Sequence, residues 1–131
     1  MDNLGKVNTM SPLTWAYIGD AVYELYVRNY LTDTTNLKPN MLHKKAIKYV
    51  KASAQASILQ NLQEMLTDEE KEIVRRGRNA QNHHLPKNAN LEDYTYSTAF
   101  EALIGYLYLS KQEERLDEIL KKALEINTNN V

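Results

Sequence analysis

Two stretches of this chain, residues 11–31 (SPLTWAYIGDAVYELYVRNYL) and 96–110 (YSTAFEALIGYLYLS), read as helices apolar round most of the cylinder. A helix of that kind has to be covered on nearly every side. The remaining segments are therefore expected to wrap two central helices, which makes the fold all-α. Only four glycines and three prolines occur in 131 residues, too few for the many turns of a β-sandwich. Ser11 is expected to cap the first of the two helices, with Pro12 at a position where its missing N–H does no harm.

The shell is legible as shorter amphipathic segments. A helix is expected from Pro39 to about Lys51, with Leu42, Ala46, Ile47 and Val50 inward. The next carries Ile58, Leu59, Leu62 and Leu66 on one side. Thr67-Asp68-Glu69-Glu70 has the spacing of a capping box, and three acids in the first turn suit the helix dipole. That helix is expected to stop near Gly77. Residues 79–95 read as a long polar loop, of the kind that often carries function. Residues 112–126 close the chain as an amphipathic helix with Leu116, Ile119, Leu120 and Leu124 on one side. Residues 1–131 are expected to be a single domain, with 1–10 and 127–131 frayed.

The chemically informative residues are two acids in apolar surroundings. Asp20 lies mid-helix in WAYIGDAVYEL, and Glu101 is the only charge between Asp93 and Lys111. A buried carboxylate is unfavourable unless it is paired or bound to a cation. Each acid has a glycine nearby, Gly19 beside Asp20 and Gly105 one turn after Glu101. Glycine weakens a helix interior by roughly 0.5–1 kcal/mol, an effect that is offset where two helix axes must approach closely. Two central helices crossing at these glycines would bring the carboxylates together, and a cation such as Mg²⁺ would relieve their repulsion. Alternatively, Asp20 pairs with Arg28 or a tyrosine hydroxyl and Glu101 is a hydrogen-bonded core acid. Glu24 and Arg28, four residues apart, are expected to pair on the helix surface.

Other chemistries are excluded. The chain has no cysteine, so a disulfide scaffold, a thiolate metal site and a cysteine nucleophile are ruled out. His83 and His84 are adjacent, the wrong spacing for helical zinc ligands, and no phosphate-binding glycine loop is present. No apolar run reaches the roughly 18 residues of a membrane span, and the first ten residues lack the pattern of a secretory signal. A cytoplasmic protein is expected. The net charge of −1 hides two basic blocks. Lys38, Lys44, Lys45, Lys48 and Lys51 form one, and Arg75, Arg76, Arg78 and Lys87 form the other, with no acid inside either. They are either solvated helix faces or phosphate-binding surfaces. Of the nine tyrosines, Tyr17, Tyr23, Tyr26, Tyr106 and Tyr108 fall in the apolar helices and suit a core or a subunit interface. Tyr94 and Tyr96 are better placed to face a ligand.

The stretch YIGDAVYELYV resembles the ribonuclease III motif built on Gly-Asp-Ala, and STAFEALIGYLYL resembles its second acidic motif, Glu-Ala-Leu-Ile-Gly. The two occur in the family's order, and the likeness covers nearly the whole chain. No double-stranded-RNA-binding domain is expected beside it in these 131 residues. With LKPNMLHKKA, RRGRNA and PKN, that resembles the Mini-ribonuclease III branch, which trims large-subunit ribosomal RNA precursors. The resemblance implies a ribonuclease III-type endonuclease domain that hydrolyses phosphodiesters in double-stranded RNA, here the 23S precursor. It implies Asp20 and Glu101 as catalytic metal ligands for Mg²⁺, with Mn²⁺ able to substitute. It implies a homodimer, RNA contacts from His43, Lys44, Lys45, Arg76, Arg78 and Lys87, and room for a ribosomal protein on the substrate. Larger members carry further acids where this chain has Ala16 and Thr98, so waters or RNA phosphates would complete the metal's shell. The rival expectations are a non-catalytic RNA-binding or ribosome-assembly module on the same fold, and a helical protein–protein adaptor. Retention of both acids argues against the first, and metal binding would exclude the second.

Overall fold

The structure, a computed structural model, describes residues 3–80 and 90–130. Lys87, His83 and His84 lie outside the described residues. The described chain consists of seven α-helices: α1 (Asn3–Thr9), α2 (Pro12–Thr34), α3 (Pro39–Val50), α4 (Ala52–Leu62), α5 (Asp68–Asn79), α6 (Leu91–Leu109) and α7 (Glu113–Asn130). A 3-10 turn, Gln63–Met65, extends α4. None of the described helices is long and apolar enough to cross a membrane.

α6 is the central helix, packed on α2, α4 and α5. Its residues from Ser97 to Leu107 are buried with one exception, the half-buried Glu101. α2 starts as expected, with the Ser11 hydroxyl accepting from the Leu13 N–H at 3.2 Å and Pro12 in the first turn. It buries Trp15, Gly19, Tyr23, Val27 and Leu31, an i, i+4 stripe. Its opposite face stays open: Tyr17 is 78% and Leu25 61% exposed. Apolar composition all round therefore does not bury α2 on every side within this chain.

Three boundaries differ from the sequence expectation. α6 begins at Leu91 rather than near Tyr96, because the Asn90 side chain accepts from the Asp93 N–H at 3.0 Å and Glu92 and Asp93 favour the first turn. The first ten residues contain α1, held by Val7, whose carbonyl accepts from the Trp15 indole N–H at 2.9 Å. α7 continues through residues 127–130, with Asn127 buried. Ile47, expected to face inward, is exposed, and Tyr49 takes the buried position in α3.

The capping box at the start of α5 forms, and Glu70 has a second role. Its carboxylate accepts from Arg115 of α7 at 2.8 Å, and Arg115 also donates to the Met65 carbonyl at 2.7 Å. Burial alone would raise the Glu70 carboxyl. Hydrogen bonds from Arg115 and Thr67, with the Arg115 charge, outweigh it and hold the group below its ordinary value.

α6 ends in a Schellman arrangement. The Gln112 N–H donates to the Leu107 carbonyl at 3.0 Å and the Lys111 N–H to Tyr108 at 3.1 Å. Lys111 sits there at φ 60°, in the left-handed region. A Cβ is unfavourable in that region, so Lys111→Gly is expected to stabilise the fold by about 0.5–1 kcal/mol. Urea unfolding should show a higher midpoint with an unchanged slope.

Candidate active site

α2 and α6 cross in backbone contact. A Cβ on Gly19 would overlap the carbonyl of Glu101, and one on Gly105 would overlap the carbonyl of Trp15. The two glycines face each other, with each hypothetical Cβ within 2.9 Å of the other's amide nitrogen. No other residue type permits this approach. Its consequence is chemical: Gly19 abuts the backbone of Glu101, so the next residue, Asp20, presents its carboxylate beside that of Glu101.

The two acids differ in setting. Asp20 is exposed, which corrects the expectation of an acid inside the bundle; Tyr17, Ala21 and Leu25 share its open face. Glu101 is half-buried. Burial pushes its carboxyl up to about 8, and the charge of Asp20 with a hydrogen bond shared between the two adds to the effect. Glu24 adds a smaller push, and a hydrogen bond from Gln55 opposes it. Asp20 does not pair with Arg28, which instead reaches Glu24 at 3.7 Å.

Among the described residues no cluster of three or more His, Asp or Glu side chains forms a metal site. Ala16 and Thr98 are buried, and the Thr98 hydroxyl donates to the Tyr94 carbonyl at 2.9 Å. The donor set is thus two carboxylates and a neighbouring amide. It fits a hard divalent cation that keeps most of its waters, since such an ion needs few protein oxygens. The raised Glu101 carboxyl fits as well: two acids forced together without a counter-charge are what a cation between them would stabilise.

The basic residues divide. His43, Lys44 and Lys45 are exposed on α3. His43 lines a groove between α2 and α3 together with Glu24, Arg28, Leu42 and Ile47, and Glu24 brings that groove to the acid pair. The second block has partners of its own. Arg75 binds Glu72 at 2.6 Å, Arg76 stacks 4.7 Å from the Trp15 ring centre and Arg78 stacks 5.1 Å from that of Tyr96. Arg76 thereby packs against the core, a role its basic neighbourhood did not reveal. Gln55 was also missed. It falls in register with Ile58, Leu59 and Leu62 on the buried side of α4, and a lone amide in such a stripe is the signal that would have found it.

The helical bundle thus sets two acids side by side where α2 and α6 cross at their glycines. Residues 13–112 match the family model for the ribonuclease III domain, and the chain belongs to the ribonuclease III family. Within it the relatives are Mini-ribonuclease 3 enzymes. That of Symbiobacterium thermophilum is 52% identical over 115 residues, covering 88% of either chain. That of Staphylococcus aureus is 48% identical over 130 residues, covering 96% of this chain and 97% of the relative. The X-ray structure of a Fusobacterium nucleatum protein superposes with a TM-score of 0.80 at 31% identity, covering 89% of this chain and 93% of that one. The activity is that of a ribonuclease III-type endoribonuclease, a class that acts on double-stranded RNA and is typically metal-dependent.

Proposed function

We propose that this chain is a Mg²⁺-dependent endoribonuclease that matures the 23S ribosomal RNA precursor in the cytoplasm, with Asp20 and Glu101 as its catalytic metal ligands. The observation that carries the proposal is the glycine-enabled α2–α6 crossing, which sets the two carboxylates side by side. Asp20, open to solvent, offers the oxygens that a phosphate-bound cation would meet first. Glu101, set deeper, would hold it from the protein side. Held by Asp20 and Glu101, a divalent cation would supply Lewis-acid stabilisation of the scissile phosphate and a more acidic water nucleophile. Mn²⁺ substitutes because it takes oxygen ligands in the same octahedral geometry.

His43, Lys44, Lys45, Arg76, Arg78 and Lys87 supply phosphate contacts that recognise A-form shape rather than bases. The chain acts as a homodimer in this proposal, and a ribosomal protein on the substrate is compatible with it. The open apolar face of α2 supports the dimer: Leu25 and Tyr108 border one groove with Val22 and Leu116. Exposed apolar surface of this kind is a common mark of association.

The test is cleavage of a precursor duplex in Mg²⁺ and in excess chelator. Products are expected only with the metal; equal cutting in chelator would overturn the mechanism. Binding is tested separately in an Asp20→Asn background. Arg78→Ala should weaken duplex binding and flatten the dependence of log K on log salt by about 0.7–0.9. The loss should be equal for unrelated duplex sequences, because a phosphate contact carries no base information. Unchanged affinity and slope would remove Arg78 from the RNA surface.

A further inference from the structure

We propose that Gln55 is a positioning residue of the cation site, its amide fixing the Glu101 carboxylate for metal binding. The proposal rests on the Asp20–Glu101 centre described above. Gln55 is 2% exposed, on the side of α4 that buries Ile58, Leu59 and Leu62. Its Nε2 donates to the Val50 carbonyl at 2.7 Å and to Glu101 Oε2 at 3.5 Å. Its Oε1 is buried with no hydrogen-bond partner among the described residues.

A purely structural role would use only half of this amide. Val50 closes α3, and Tyr49 just before it has its carbonyl satisfied by the Tyr23 hydroxyl at 3.0 Å. One donor from Gln55 suffices to cap Val50. The second N–H goes to Glu101, whose carboxyl also neighbours Asp20. Chemistry limits what can stand in this position. A lysine or arginine would neutralise the pair and compete with the cation, and a leucine would leave the carboxylate free to turn away. A neutral donor holds one oxygen in place and leaves the negative charge intact. An unsatisfied buried carbonyl oxygen is unfavourable, and Gln55 keeps one beside Glu101. Ser97 and Thr98, the buried polar residues in the turn of α6 before Glu101, both donate to the Tyr94 carbonyl instead. Gln55 also links α3, with Lys44 and Lys45, to the acid pair through one side chain.

The experiment is calorimetric titration of Mn²⁺ into RNA-free protein, wild type and Gln55→Met, which conserves volume and removes the amide. Groups that orient metal ligands typically change affinity about 10–100-fold. The Mn²⁺ Kd of Gln55→Met is expected to rise about 10-fold, with the Mg²⁺ half-saturation for cleavage rising alongside and kcat recovering at high Mg²⁺. A Kd within about twofold of wild type, with only a lower melting temperature, would overturn the proposal, because the amide then merely caps α3. Should Gln55→Met not fold, the wild-type protein still decides. In ¹⁵N spectra the Gln55 side-chain amide should shift as Mg²⁺ saturates the protein; a resonance fixed throughout would overturn the assignment. Failure of wild type to bind Mn²⁺ would instead sink the acid-pair centre itself.

Discussion

Asp20→Asn and Glu101→Gln are each expected to slow single-turnover cleavage of duplex RNA by at least about 10²-fold at saturating enzyme and at the Mg²⁺ concentration that saturates the wild type. Both changes are nearly isosteric and remove one negative charge, so the α2–α6 crossing should persist. Circular dichroism should be unchanged, and duplex binding should survive because the phosphate contacts lie on other residues. The double variant should be little worse than either single one, since two ligands of one ion act as a unit. Raising Mg²⁺ should rescue Asp20→Asn more than Glu101→Gln, because the exposed Asp20 position is the one water can replace. Cleavage by either single variant at near wild-type rate would mean that the pair does not hold the catalytic ion.

The crossing was readable because its signal is local. Gly19-Asp20 and Glu101-x-x-x-Gly105 place a small residue and an acid within one turn of each other on the two most apolar helices. Only backbone contact makes good the loss of helix propensity, so the meeting of those helices follows from the residues themselves. What the sequence concealed depends on distant partners. Nothing near Val7 announces that its carbonyl will hold the Trp15 indole, and without that bond α1 reads as a loose end. Leu91 to Thr95 look like loop because they are polar, although Asn90 three residues before Asp93 is a helix-start pattern. The open face of α2 was hidden for the opposite reason. Tyr17 and Leu25 suit a core as well as a subunit contact, and periodicity cannot separate the two. Gln55, and the packing of Arg76 on Trp15, escaped because the partners, Glu101 and Trp15, lie 46 and 61 positions away.

Glu101→Gln is also expected to make the metal-free protein more stable at alkaline pH, and its sign follows from the proton balance. The folded carboxyl titrates at about 8, against an ordinary value of 4.5. Between those values the folded state keeps a proton that the unfolded chain releases, so stability falls as pH rises. The contribution is complete below 4.5 and is lost once pH passes about 8. At about 1.4 kcal/mol per unit the loss is bounded near 5 kcal/mol, and water reaching the half-buried group reduces it to roughly 2–4. Glutamine has no charge to release, so urea-unfolding curves in chelator should be similar below about pH 4.5 and diverge by about pH 8.5, with the variant higher. Asp20→Asn should recover part of the same gain, because the Asp20 charge supplies part of the push on Glu101. Mg²⁺ should close the gap from the wild-type side alone: binding to the folded state adds about 2.7 kcal/mol at 100 times Kd, and the variant lacks the ligand. Equal pH dependence of wild type and variant would show that Glu101 is neither buried nor crowded by Asp20 in solution. The predicted divergence would show that the α2–α6 crossing holds Glu101 where ionisation weakens the fold, and closure of the gap by Mg²⁺ would show that a cation offsets that cost.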